Sequence, residues 1–206
     1  GGAVIDANGY TVTIPKELTE DLSSTGGGLS KVGAGTLILG ATNTYRGNTT
    51  VSAGTLVVNG SIATSALTTI SSASGLGGSG TLGATTISGT HTPGNSPGLQ
   101  TFAGNLTYNP GSNIVWELIG NTTNNRGTSF DAIDLTGVAN LAFTGAHPSA
   151  TIAGGSQATA TPLRRRRPSR GRARDGQPIR QIHAGAQHRQ HRHRRHRLAD
   201  RHVGGA

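Results

Sequence analysis

The 206 residues include 33 Gly, one Trp, three Tyr, three Phe, no Cys and no Met, which excludes a disulfide framework, a thiolate metal site and a core built on aromatic bulk. The formal charge of +9 belongs to one end only: residues 1–162 hold four basic and seven acidic side chains, net −3, while residues 163–206 hold fourteen Arg, no Lys and two Asp, net +12. No run approaches the roughly 18 consecutive apolar residues of a membrane-spanning helix, and no charged start followed by an apolar run marks a signal peptide. A chain that opens on Gly1 and lacks Met reads as a fragment or a processed product.

Residues 1–25 read as an incomplete first turn of a repeat. Residues 4–14 become alternating in their second half and stop at Pro15, and the charged stretch 16–21 reads as an exposed loop. From residue 26 two signatures interleave. Gly-Thr-Leu occurs at Gly35-Thr36-Leu37, Gly54-Thr55-Leu56 and Gly80-Thr81-Leu82, spaced by 19 and 26 residues; Thr-Thr-(Val/Ile)-Ser begins at Thr49, Thr68 and Thr85, spaced by 19 and 17. A period near 20 means that each repeat is one turn of chain and buries a face only by stacking on its neighbours.

Each copy reads as a strand. Leu37 and Leu39 project to one side, Thr36 and Ile38 to the other, and Val51 with Leu56, Val57 and Val58 repeats the design. Asn59-Gly60, Pro93-Gly94 and Pro110-Gly111 punctuate the strands. Strands this short fit a sandwich, a meander or a parallel β-helix. The irregular period favours the helix, because loops of different length can leave a stacked rung without disturbing its strands. After Thr101 the pattern continues less regularly through residues 102–108, 114–119 and 130–143. The expected organisation is therefore all-β: an incomplete rung and loop over 1–25, a solenoid over 26–145, and a linker with a basic tail over 146–206.

The stretch GGGLSKVGAGTLILGATNTYRGNTTVSAGTLVVNG, residues 26–60, resembles the autotransporter-associated β-strand repeat of bacterial type V passenger regions. Downstream, GSGTLGATTISGTHTPGNSPGLQTFAGNLTYNPGSNIVWEL and SFDAIDLTGVANLAF resemble the segment that commonly follows such repeats. The resemblance implies a right-handed parallel β-helix, export to the cell surface or beyond, and an outer-membrane β-barrel translocator as partner. It also implies a non-catalytic scaffold with adhesive contacts to a host surface or another cell. No barrel follows in this sequence, and the basic tail matches nothing in the family.

Several motifs look chemical. Gly94-Asn95-Ser96-Pro97-Gly98 fits G-x-S-x-G, but the nucleophile elbow needs the N–H of the residue after the serine and Pro97 has none. Gly78-Ser79-Gly80-Thr81-Leu82-Gly83 fits G-x-G-x-x-G, yet a β segment follows where a dinucleotide site needs a helix, and no acid occurs between Gly83 and Glu117. Asp131 and Asp134 are an odd distance apart in a strand, which sends them to opposite faces and prevents paired acid and base work. No Asp occupies the Gly-rich turns, unlike calcium-binding nonapeptide repeats. Trp116, among Ile114, Val115, Leu118 and Ile119, reads as a core or capping residue; Asn43, Asn59, Asn95 and Asn105 are candidates for amide ladders. Tyr45 and Arg46 read as exposed loop residues. No catalytic, cofactor-binding or metal residue is assigned in residues 1–162.

Residues 163–206 have the composition of a disordered, self-repelling segment. Taken as genuine protein, the tail binds polyanions through Arg164, Arg165, Arg166 and Arg167 in a salt-sensitive way and without base specificity, since it offers no aromatic for stacking. His188, His191, His193 and His196 form a dense His tract that holds metal weakly. Arg without Lys, beside His, Gln, Pro, Ala and Gly, is equally what a GC-rich gene yields when translated out of frame. Two alternatives to the passenger reading stand: the scaffold portion of a polysaccharide-acting β-helix enzyme, and a polyanion-binding protein that works through this tail.

Overall fold

The computed structural model describes residues 1–153 apart from residues 22, 24, 25, 121 and 147. The described chain winds in successive coils, each contributing short strands. The first coil has β1 (Ala3–Asp6) and β2 (Thr11–Ile14), and the second β3 (Leu29–Val32) and β4 (Thr36–Leu39). The third has β5 (Thr49–Val51), β6 (Gly54–Val58) and β7 (Ser61–Ile62); the fourth β8 (Thr68–Ile70), β9 (Ser74–Gly78) and β10 (Thr81–Leu82). The fifth has β11 (Thr85–Ile87), β12 (Thr90–Pro93) and β13 (Leu99–Phe102), and the sixth β14 (Leu106–Tyr108), β15 (Asn113–Glu117) and β16 (Ala132–Leu135). The seventh ends with β17 (Leu141–Phe143) and β18 (Ser149–Ala153).

Corresponding strands of successive coils pair in parallel to give three sheets: β1-β3-β5-β8-β11-β14-β17, β2-β4-β6-β9-β12-β15-β18, and β7-β10-β13-β16. This is a parallel β-helix with one strand of each sheet per coil where the coil is complete. Among the described residues no helix is long and apolar enough to cross a membrane.

Alternation builds the core. In β4 and β6 the inward Leu37, Leu39, Leu56 and Val58 are fully buried, while Thr36, Ile38, Thr55 and Val57 face outward. Val51, Ile70 and Ile87 line the first sheet from inside, and Ile62, Leu82 and Phe102 the third. Each coil thus supplies a few aliphatic side chains to one continuous column, with a single hydrophobic cluster running from Leu29 to Tyr108. A thin layered core of this kind needs little aromatic mass, in keeping with the composition.

The boundaries expected from the sequence shift at both ends. Residues 1–25 do contain a first coil of two strands, but the charged stretch is not only an exposed loop. Leu18 packs against the core, and its backbone bonds Asn43 Oδ1 and Thr44 N at 2.9 and 3.0 Å, filling the place of a third strand. At the other end the solenoid runs past residue 145: β18 pairs along its full length with β15. The sequence missed it because Ser149 to Ala153 follows Pro148 and carries only one large apolar side chain, Ile152.

Candidate functional site

The repeat signatures occupy structurally distinct places. Gly35 immediately precedes β4 and Gly54 opens β6, both with positive φ, 86° and 69°, and a Cβ on Gly54 would collide with the Gly35 carbonyl of the coil beside it. The signature glycine is thus required twice over, by conformation and by close stacking. Thr36 and Leu37 then pair in register with Thr55 and Leu56. Gly80-Thr81-Leu82 does not join them. It lies in the third sheet, where Thr81 and Leu82 pair with Ser61 and Ile62, and the true successors of Thr55 and Leu56 are Gly75 and Leu76. The spacing of 26 rather than 19 was the signal. The threonine signature keeps register throughout: Thr49, Thr68 and Thr85 are partners, as are Val51, Ile70 and Ile87.

The loop 94–98 joins β12 of the second sheet to β13 of the third, at a cavity of about 200 Å³ lined by Thr92, Val115, Glu117 and Asp131 among others. The Ser96 hydroxyl donates to Glu117 Oε1 at 3.1 Å. Asp131 turns inward, where Oδ1 accepts the Gly98 N–H at 2.9 Å and Oδ2 the Glu117 N–H at 2.7 Å. Burial pushes its carboxyl above the usual range, against the pull of those two donors. Asp134 points the other way and pairs with Arg126 at the surface. The two acids are on opposite sides, as their odd spacing requires, and Asp131 fastens the loop to the next coil.

His91 was not singled out from the sequence. It faces inward from β12, fully buried, with Nδ1 2.5 Å from Tyr108 Oη and Nε2 2.6 Å from Gln100 Oε1. The Gln100 amide donates to the Gly77 carbonyl at 3.0 Å, so its oxygen faces the imidazole. Nε2 therefore carries the proton and Nδ1 accepts from tyrosine. Burial pushes the His91 pKa down to about 4, so the ring is neutral near pH 7, with both nitrogens engaged by Tyr108 and Gln100. The available signal was parity: His91 and Gln100 fall at inward positions of their strands.

Lys31 is a second buried polar group. Its Nζ donates to the carbonyls of Val32, Gly33 and Ala53 at 2.8, 2.7 and 3.3 Å, and burial lowers its pKa. Tyr45, expected to be exposed, is instead buried, because its hydroxyl reaches inward to Thr49 Oγ1 at 2.8 Å; Arg46 stays out and approaches Glu20. Trp116 is half-buried in the last strand pair of the second sheet, opposite Ile152. Of the candidate amide ladder, only Asn59 and Asn95 meet, with Ser79 between them. Asn43 and Asn105 bond backbone groups instead. Arg164, Arg165, Arg166 and Arg167, and the His tract, lie outside the described residues.

Residues 29–58 match the model of the passenger-associated-transport-repeat. The match spans β3 to β6, two coils that stack in register and carry both of the aligned Gly-Thr-Leu copies. The chain thus carries a structural repeat of autotransporter passenger regions. No curated protein matches it.

Proposed function

We propose that this chain is part of the passenger of a type V secreted protein: a rigid, non-catalytic β-helical scaffold, carried through the outer membrane by a β-barrel translocator and displayed on the cell surface or released. The observation that carries the reading is the family match over residues 29–58, which falls on two coils whose signature residues stack as partners. The architecture suits such export. A chain without Cys emerges through a pore without disulfides to reduce, and each coil that forms outside offers its edge and apolar face to the next. The polar outer faces then serve adhesive contact with a host or neighbouring cell.

The test places residues 1–153 between a secretory signal peptide and a type V barrel in a Gram-negative host, then treats intact cells with protease. Surface labelling and protease shaving of the segment, equal to those of a known passenger on the same barrel, are expected. Retention of the segment in the periplasm while the known passenger is displayed would overturn the proposal.

A further inference from the structure

Strand β9 breaks the outer face of the second sheet at two positions. The register partners of Gly75 are Thr55 and Thr90, and Thr55 stands on Thr36, so one outward rank reads Thr36, Thr55, Gly75, Thr90. Gly77 interrupts the neighbouring rank between Val57 and Thr92. Neither glycine has a positive φ, and the nearest atoms to a Cβ added at Gly75 would be those of the Thr55 side chain, its Oγ1 at 3.0 Å. Conformation does not demand glycine at Gly75. Glycine inside a strand weakens it and often marks a place where another group approaches the backbone.

Between the threonines lies a cavity of about 410 Å³, with Thr55 on one wall, Thr90 and Thr92 on the other, Gly75 in the floor and Ser72 at the side. The Thr55 and Thr90 hydroxyls have no hydrogen-bond partner among the described residues, and Thr92 Oγ1 makes a long bond to the Leu76 carbonyl at 3.2 Å. Thr92 also lines a second cavity of about 200 Å³, together with Asn95, Ser96 and Glu117.

We propose that this hydroxyl-walled groove binds a neutral saccharide chain. Hydroxyls that both donate and accept match a polyol, and a glycine floor lets a sugar ring reach the backbone. A peptide strand has no edge to pair with, because β9 is already bonded on both sides by β6 and β12. A polyanion finds no cation, since no charged side chain lines the 410 Å³ cavity. The inference deepens the adhesive part of the proposed function and rests on that reading only for where the ligand is met.

The full chain is titrated with maltohexaose, cellohexaose and mannohexaose while backbone amide resonances are followed, with dextran sulfate and an unstructured peptide as controls. At least one hexasaccharide is expected to give saturable shifts centred on Gly75, Gly77 and Thr90. Gly75→Thr, which completes the threonine rank and fills the groove, should weaken that binding roughly tenfold or more without lowering the urea midpoint. Thr90→Val keeps the shape, removes one hydroxyl and should weaken it several-fold, which guards against a misfolded first variant. The idea is overturned by shifts from none of the three sugars, by unchanged binding in both variants, or by shifts at these residues from the peptide or dextran sulfate alone. Failure of surface display with sugar binding intact would sink only the export reading.

Discussion

His91 carries a pH dependence that the surrounding coils impose on it. The imidazole is fully buried and bonded on both sides, so its folded pKa of about 4 lies below the ordinary 6.5. The unfolded state therefore binds the proton first as pH falls, and the stability His91 contributes is complete above about pH 6.5 and is lost as pH falls through about 4. A shift of this size corresponds to roughly 3 kcal/mol. Asp131 works in the opposite sense in acid, because burial raises its carboxyl pKa, so the wild-type curve alone does not isolate the histidine. The difference between wild type and His91→Leu does. That variant should lose about 3 kcal/mol at pH 7.5, through the orphaned Tyr108 hydroxyl and Gln100 amide, and the gap should close as pH drops from 6.5 to 4. Urea midpoints at several pH values measure it; a gap that stays constant would remove the buried imidazole from the account.

In the first sheet the inner threonines of β5, β8 and β11 form one rank, yet their hydroxyls fare differently. Thr49 Oγ1 bonds Tyr45 and Ser65, and Thr85 Oγ1 bonds the Gly83 carbonyl. Thr68 Oγ1 is buried with no partner. Thr68→Val keeps the β-branched shape and removes an unsatisfied group, so it should stabilise the fold by about 1 kcal/mol, while Thr49→Val should destabilise it by a similar amount. Chemical denaturation distinguishes the signs, and a loss of stability in Thr68→Val would contradict the orphaned hydroxyl. At the start of β6, Gly54→Ala should cost about 2 kcal/mol or more, since it adds both a left-handed strain and a collision with the Gly35 carbonyl; an unchanged midpoint would show that the two coils slide apart freely. These strands also show what sequence can convey. Alternation in Gly35–Leu39 and Gly54–Val58 revealed both faces correctly, because period two follows from the pleat. A matching tripeptide such as Gly80-Thr81-Leu82 says nothing of which sheet it joins, since the turn length before it decides that.

At the scale of the whole molecule the solenoid is a stack in which stability passes between neighbours. The sequence displayed that plan through its short period, and the coils at residues 49, 68, 85 and 106 follow one another closely. It displayed less where the plan loosens. From β14 to β17 the coil lengthens to take in the 118–131 segment, and His91, Gln100 and Tyr108 come together from three different sheets, a meeting that no local pattern announces. The same stacking logic sets a gradient of protection. The central coils bury Val51, Leu56, Ile70, Leu76 and Ile87 completely, whereas Val4 near the start and Leu141, Phe143 and Ile152 in the last described coil remain exposed. Among the described residues β1, β2, β17 and β18 each pair on one side only, and a coil stacked on one side gains about half of the stacking that a central coil gains. Amide hydrogen exchange should therefore be slowest in β5, β6, β8, β9 and β11 and faster by at least about tenfold in β1, β2, β17 and β18, with protection declining coil by coil toward each end. Equal protection from β1 to β18 would mean that the stack opens only as a single unit, and coil-by-coil assembly outside the cell would lose its physical basis.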